Sequence, residues 1–255
     1  MSKFIIYKGT GGLVHMLKGI ALCIQKAKET NRILILDTLH HAAFKMNFSR
    51  LFSIMDPSLR YKDDYDGCPV TLDNQNAYAQ CMHGKYYLLG KNITDVDWNT
   101  TDDVIIYAGC GRDMHFETIK VVPAIREKLD KEPKVERPYI SGHFRNTDIR
   151  NNIQTFIHTL RITVQQTGIQ TFYLATDDST ARDQIATELP HLTIIQYIFP
   201  PPNIRNLHYT KDTYTQVYEC LRDFYFILRS DVFIPSKSGM SELLIEMRTF
   251  KYTFF

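Results

Sequence analysis

The chain has 255 residues, enough at roughly 100–200 residues per domain for one large domain or two smaller ones. Its 44% hydrophobic and 23% charged residues sit at the globular average, which excludes intrinsic disorder, collagen-like repeats and a coiled coil. Thirty Lys and Arg against 28 Asp and Glu leave a net charge of +2, not the concentrated basic footprint of a nucleic-acid-binding protein, so no nucleic-acid partner is expected.

At the N-terminus the apolar run Phe4-Ile5-Ile6 is far shorter than the ~7–15 residues of a secretory signal or the ~20 of a membrane span, and neither is expected. The cysteines Cys23, Cys68, Cys81, Cys110 and Cys220 are scattered and never form a C-x-x-C pair. A disulfide framework and a zinc site are therefore not expected, and the compartment reads as reducing and cytoplasmic.

Phe4–Tyr7 reads as a strand, followed by the turn Lys8-Gly9-Thr10-Gly11-Gly12 and a helix in which Val14, Leu17, Ala21, Ile24 and Ala27 recur at helical spacing. The unbroken apolar run inside Arg32–Asp37 is what a parallel strand covered on both faces looks like, completing a βαβ unit. From Asp56 to Gly90 the chain is rich in Asp, Asn, Tyr and Gly without periodicity and reads as loops and short elements; Val104–Tyr107 is a further buried strand ending in Gly109-Cys110-Gly111. Arg126–Pro138 is the most charged stretch and carries two prolines, so it reads as an exposed connection; the domain boundary is placed there, giving domains 1–130 and 131–255.

The second half alternates between periodicities. Strands are expected at Tyr139–Phe144, Phe172–Ala175, Leu192–Tyr197 and Val232–Ile234. Helices are expected through Ile153–Val164, Ala181–Leu189, Thr213–Arg229 and from Gly239 onward. Alternating strands and helices mean a doubly wound parallel sheet.

Ligands of open α/β sheets bind beyond the carboxyl ends of the strands, and four polar clusters fall there. Gly11 and Gly12 open a helix whose free amides suit a phosphate or a sugar hydroxyl, or else form a plain tight turn. His143 and Arg145 share one side of the strand end. Arg145 can grip a phosphate with its planar fork, or can close a turn with Asp148 while His143 is a satisfied half-buried histidine. Asp177 and Asp178 can hold a divalent metal through hard oxygens, or one carboxylate can cap the next helix and leave the other to orient Arg145. The fourth cluster is Asp223 with Ser236, Lys237, Ser238 and Gly239. Asp223 among Cys220, Leu221, Phe224 and Phe226 is either a buried carboxylate that needs a partner or part of a solvated face. The serines either converge on a ligand or simply cap the last helix.

Taken in order, these clusters resemble the fucosyltransferase superfamily that contains the core α1,6-fucosyltransferases, the rhizobial nodulation fucosyltransferases and the protein O-fucosyltransferases. The family's glycine turn is matched by Gly11-Gly12-Leu13-Val14-His15, and its His-x-Arg-x-x-Asp signature by His143, Arg145 and Asp148. Its aspartate-ending strand is matched by Tyr173 to Asp178, and its late-helix aspartate with a Ser-rich turn by Asp223 and Ser236 to Ser238.

The resemblance implies a GT-B-like α/β architecture, two Rossmann-like doubly wound domains facing a cleft, with residues 1–130 on the acceptor side and 131–255 binding the nucleotide sugar. It implies an inverting, metal-independent transfer of fucose, or a related sugar, from a GDP-sugar to a glycan acceptor, with no further cofactor. Arg145 would stabilise the departing diphosphate. Ser236, Lys237, Ser238 and Gly239 would complete the phosphate cradle, with Gly11 and Gly12 also on the donor. Asp223, helped by His143, would accept the two adjacent donors of guanine, and Asp177 and Asp178 would orient the site without a metal.

Asn146 and Ile149 stand where relatives carry basic residues, and no nearby glutamate matches the base of the core enzymes, leaving Asp148 and His15 as candidates for it. Lys237 and Gly239 stand where relatives have an aromatic residue and a serine. The chain reads as a minimal member without stem or accessory domains. Asp37, His40, His41 and Gly109-Cys110-Gly111-Arg112 would line the acceptor side. Two other readings are a metal-dependent phosphohydrolase built on Asp177 and Asp178, and a non-catalytic nucleotide- or glycan-binding module.

Overall fold

The structure is a computed structural model that describes residues 2–9, 11–41, 44–68, 87–88, 98–99, 101, 103–107, 109, 117–146, 149–199 and 212–255. The chain divides into two compact units, Met1–Arg126 with Tyr252–Phe255, and Glu127–Lys251. The division falls four residues before the boundary placed at 130, and the last four residues return to the first unit.

Unit one contains β1 (Phe4–Tyr7), α1 (Leu13–Glu29), β2 (Ile33–Leu36), β3 (Phe52–Ile54), β4 (Tyr61–Lys62), β5 (Tyr87–Leu88), β6 (Val104–Tyr107) and β7 (Ile119–Val121). Phe, Ile, Val and Tyr fill β1 and β6, which are buried throughout. Their side chains point to both faces, as a covered central strand requires. A parallel sheet results, in the order β4-β2-β1-β6-β5. The chain winds outward from β1 through β2 to β4 on one side and through β6 on the other, so the winding direction reverses between β1 and β6. Helix α1 buries Leu17, Ile20, Ala21, Ile24 and Ala27 at helical spacing. Gly11 has φ +99, and a Cβ there would meet the His15 ring at 2.9 Å, two independent reasons for glycine at the turn.

Antiparallel β3 and β7, with the short 3-10 turn Phe48–Arg50 before β3, form a separate ribbon. The C-terminal tail joins it, the Val121 amide donating to the Phe254 carbonyl at 2.9 Å while the Phe254 ring packs against Phe52.

Helix α2 (Pro123–Asp130) contains the division between the units. It corrects the expectation of an exposed connection beginning at Arg126: Ile125 and Leu129, four residues apart, are buried while the charged residues between them face outward. Burial of one apolar stripe outweighed the charge of the stretch.

Unit two continues with β8 (Ile140–Phe144), α3 (Ile153–Thr167), β9 (Thr171–Thr176), α4 (Ala181–Glu188), β10 (Thr193–Ile195), α5 (Thr213–Arg229), β11 (Val232–Ile234) and α6 (Gly239–Phe250). Its sheet is parallel in the order β10-β9-β8-β11, with the reversal of winding between β8 and β11. Ile140, Phe144, Phe156, Leu160, Phe172 and Leu174 belong to its core. Gly142 makes room for two of the rings, since a Cβ there would lie 2.6 Å from Phe156 and 2.8 Å from Phe172.

Caps define the helix ends. The Asn152 carboxamide accepts from the amides of Gln154 and Thr155, Gly168 closes α3 at φ +70, the Asp212 carboxylate accepts from Thr215 N, and Ser238 Oγ accepts from Ser241 N. Among the described residues no helix is long and apolar enough to cross a membrane. The two parallel, doubly wound α/β units are the fold class expected from the alternation of periodicities.

Candidate functional site

In unit two the carboxyl ends of β8 and β11 lie side by side where the winding reverses, the position at which open α/β sheets bind ligands. Arg145 is the first residue after β8. Its amide donates to Ser236 Oγ at 3.0 Å, and its guanidinium Nε lies 3.1 Å from Asp177 Oδ2. The other oxygen of Asp177 accepts from the Asn146 amide at 2.7 Å, so one carboxylate at the end of β9 holds both the backbone after Arg145 and its side chain. Asp177 is 9% exposed and Arg145 25%, which leaves the guanidinium anchored at its base and within reach of solvent.

Asp178 serves the chain instead. It accepts from Asn146 Nδ2 at 2.7 Å and from the amide and hydroxyl of Thr180, both at 2.8 Å. Burial opposes its ionisation, but these bonds outweigh burial and hold the carboxyl below its usual range. The N-cap position of α4 belongs to Thr180, not to Asp178 or Ser179, and Thr180 makes no side-chain cap bond. Asp178 takes over that task from two residues earlier.

His143, inside β8, is buried. Its Nδ1 pairs with Ser241 Oγ at 2.9 Å and Ser238 Oγ at 3.2 Å. Burial, with the nearby positive charge of Arg145, pushes its pKa down to about 3, so the ring is neutral and the fixed cation of the β8 end is Arg145. Ser236 and Ser238, expected to converge on a ligand or to cap a helix, accept from Arg145 N and cap α6, respectively. Lys237 is tied through its backbone to Asn151, whose Oδ1 accepts from Lys237 N at 2.9 Å while its Nδ2 donates to Arg145 O at 2.5 Å. Gly239 is the first residue of α6. Asn151, which the sequence reading passed over, is therefore the clip that joins the two loops of the site; an asparagine before a helix start carries no signal that separates it from an ordinary cap.

Asp223 lies on α5, buried at 9% exposure, and accepts from the Tyr173 hydroxyl at 2.6 Å through Oδ1. The partner that a buried carboxylate requires is thus on β9. Burial pushes the Asp223 pKa up to about 7, against the opposing pull of Tyr173 and Arg222. Cys220, three residues earlier on the same helix face, feels both the Asp223 carboxylate and the Arg145 guanidinium. Burial pushes the Cys220 pKa up to about 12, with the Asp223 carboxylate raising it further and the Arg145 guanidinium opposing. The expected partner Asp148 lies outside the described residues; among the described residues Asp177 is a carboxylate that meets Arg145.

In unit one, Asp37 follows β2. It is 3% exposed and gathers His40 Nδ1 at 2.8 Å, the Tyr65 hydroxyl at 2.8 Å and Lys8 Nζ at 3.5 Å. Burial opposes its ionisation, but these three partners outweigh it and lower its pKa. His40 is half exposed, whereas His41 is buried and desolvation lowers its pKa to about 4. The two neighbouring histidines, expected on one surface, thus divide between the surface and the core. His15 is exposed in the first turn of α1 beside Gly11 and Gly12. Gly109 is described; Cys110, Gly111 and Arg112 lie outside the described residues.

No protein-family model matches the sequence, and no curated protein matches it by sequence. Solved structures do match by fold. The fucosyltransferase NodZ from Bradyrhizobium superposes with a TM-score of 0.61 at 15% identity, over 96% of this chain and 93% of that one. NodZ α-1,6-fucosyltransferase soaked with GDP-fucose gives 0.59 at 15% identity, over 96% and 92%. POFUT1 in complex with GDP-fucose gives 0.56 at 12% identity, over 95% and 92%. Two Rossmann-like units over nearly the whole of both chains make this the GT-B-like fold of those fucosyltransferases.

Proposed function

We propose that the chain is a glycosyltransferase that moves fucose from GDP-fucose to a glycan acceptor, with the nucleotide bound in unit two. The observation that carries this reading is an anchored guanidinium, Arg145 on Asp177, and a buried carboxylate, Asp223 on Tyr173, that both act on the thiol of Cys220. A diphosphate needs a cation, and guanine offers two adjacent N–H donors that a carboxylate accepts. NodZ soaked with GDP-fucose and POFUT1 in complex with GDP-fucose, which share the fold, support the choice of nucleotide.

In the proposed reaction the acceptor oxygen attacks the anomeric carbon opposite the diphosphate, inverting it. The bond from that carbon to the phosphate oxygen breaks, the acceptor proton passes to a base, and GDP leaves. Arg145, with the α6 start at Ser236, Lys237, Ser238 and Gly239, takes up the charge developing on the diphosphate. That is the task a metal performs elsewhere, so the reading is metal-independent. His15 and Asp148 are the candidates for the base. On unit one, His40, held by the buried Asp37, presents a polar group for acceptor hydroxyls. A reducing cytoplasmic setting, in keeping with the buried free thiols of Cys23 and Cys68, completes the proposal.

A phosphohydrolase built on Asp177 and Asp178 is not favoured, because all four of their oxygens already accept from Arg145, Asn146 or Thr180. The test is a thermal-shift panel with GDP, GDP-fucose, UDP and ADP, followed by GDP release in the presence of glycan acceptors and a chelator. The expected result is a rise in melting temperature with the guanine nucleotides alone and turnover that survives the chelator. Equal shifts for all nucleotides would overturn the reading, loss of turnover on chelation would overturn its metal-independence, and binding without turnover on any acceptor would leave a binding module.

A further inference from the structure

Tyr173 stands in the middle of β9 and is fully buried. Its ring is wedged between Tyr197, 5.9 Å between centroids, and Phe226, 5.1 Å away, and those two rings pack on each other at 5.2 Å. The Arg222 guanidinium covers Tyr197 at 5.2 Å and pairs with Glu132 at 3.5 Å. A ring enclosed in this way has one place to put its hydroxyl, and that place is Asp223 Oδ1. The bond from Tyr173 is the one hydrogen bond to Asp223 among the described residues, and Oδ2 is not one of their enclosed unpartnered polar atoms, so it keeps access to solvent. One oxygen is thus fixed from inside the unit while the other is left accessible to a ligand.

We propose that Tyr173 is a positioning residue for base selection: its hydroxyl fixes the plane of the Asp223 carboxylate so that Oδ2 and the remaining lone pair of Oδ1 meet the two N–H donors of guanine. The inference rests on the reading that GDP binds in unit two. Fixing Oδ1 removes the rotation about the carboxyl group that the base would otherwise have to freeze. The same hydrogen bond favours the ionised acceptor, whereas a protonated Asp223 would turn a donor toward the guanine donors. The titratable and charged groups around the carboxylate are Tyr173 from β9, Glu219, Cys220 and Arg222 from α5, Arg145 beyond Cys220, and Tyr197 and Glu132 beyond Arg222.

The experiment is calorimetric titration of GDP and UDP into the whole chain and its Tyr173→Phe variant between about pH 6 and pH 8. UDP is the control because its diphosphate titrates as that of GDP does, near pH 6, so the ratio of the two affinities isolates the base. In the unsubstituted protein the GDP preference is expected to rise with pH through about 7, where Asp223 ionises. Tyr173→Phe keeps the ring and removes only the hydroxyl. The preference should fall about tenfold, the scale of one hydrogen bond to a charged group, and its rise should move to higher pH.

A merely structural hydroxyl would lower the melting temperature and leave both quantities unmoved, and that result would overturn the proposal. On an Asp223→Asn background the Tyr173 effect on preference should vanish; an undiminished effect there would also overturn it. If Tyr173→Phe does not fold, Asp223→Asn alone decides, since an unchanged GDP preference excludes base selection by the pair. Absence of GDP binding to the unsubstituted protein would instead refute the proposed function itself.

Discussion

The fold loses stability when Asp223 ionises in its buried site, and Arg145 is a cation held in place by Asp177. The folded-state pKa of Asp223 lies near 7, against 3.8 for a free aspartate, so between about pH 4 and pH 7 the folded chain holds a proton that the unfolded chain has released. Stability therefore falls as pH rises through that window, by up to about 4 kcal/mol over three pH units. Asp223→Asn keeps the shape and an acceptor for Tyr173 but never ionises. It is expected to be more stable than the parent at about pH 8, with the gain gone below about pH 4, while its preference for GDP over UDP shrinks. Urea melts at the two pH values check the first part, and a variant less stable than the parent at the higher pH would contradict the assigned burial cost. Arg145→Ala removes the preorganised cation and leaves Asp177 facing a gap. A loss of about 2–4 kcal/mol of transition-state stabilisation is expected in kcat/KM for GDP-fucose, and near-normal turnover would remove Arg145 from the site.

At the scale of elements, legibility followed the strength of the local pattern. Ile-rich runs such as Phe4–Tyr7 and Val104–Tyr107 read directly as buried strands, and the caps Asn152, Asp212 and Ser238 stand where helical periodicity begins. β3 and β7, three residues each with Ser53 or Lys120 at the centre, are held by pairing across more than sixty positions and by a tail from the far end of the chain, and no local window contains that information. The same applies within the site. Arg145 and Asp223 were legible as residue types, and so was a carboxylate of the Asp177-Asp178 pair as the one that orients Arg145, but Asn151 as the clip and Tyr173 as the partner of Asp223 are meetings made by the sheet. Gly142 is a further case, a glycine in a central strand whose purpose is the Phe156 and Phe172 rings above it. Gly142→Ala is expected to cost about 1–3 kcal/mol through overpacking, read as a lowered denaturant midpoint with unchanged slope. A neutral result would mean that the rings move aside freely.

Across the whole molecule the two units are expected to respond to acid differently. In unit one, His41 is held neutral to about pH 4 and Asp37 is kept ionised by its partners, so the unfolded chain binds more protons and stability is lost as pH falls below about 6.5. In unit two, His143, neutral to about pH 3, acts in the same direction, but Asp223 opposes it between about pH 4 and pH 7. Hydrogen exchange, corrected for intrinsic rates, should therefore show β1, β2 and β6 losing protection before β8 and β9 as pH drops from about 7 to 5; the reverse order would contradict the assignment of these charges. The reading of the molecule turns on where a nucleotide binds. The most direct measurement is a crystal structure of the chain with GDP. The account predicts the diphosphate on the Arg145 guanidinium with the guanine edge on Asp223, and a nucleotide bound to unit one, or none bound at either residue, would contradict it.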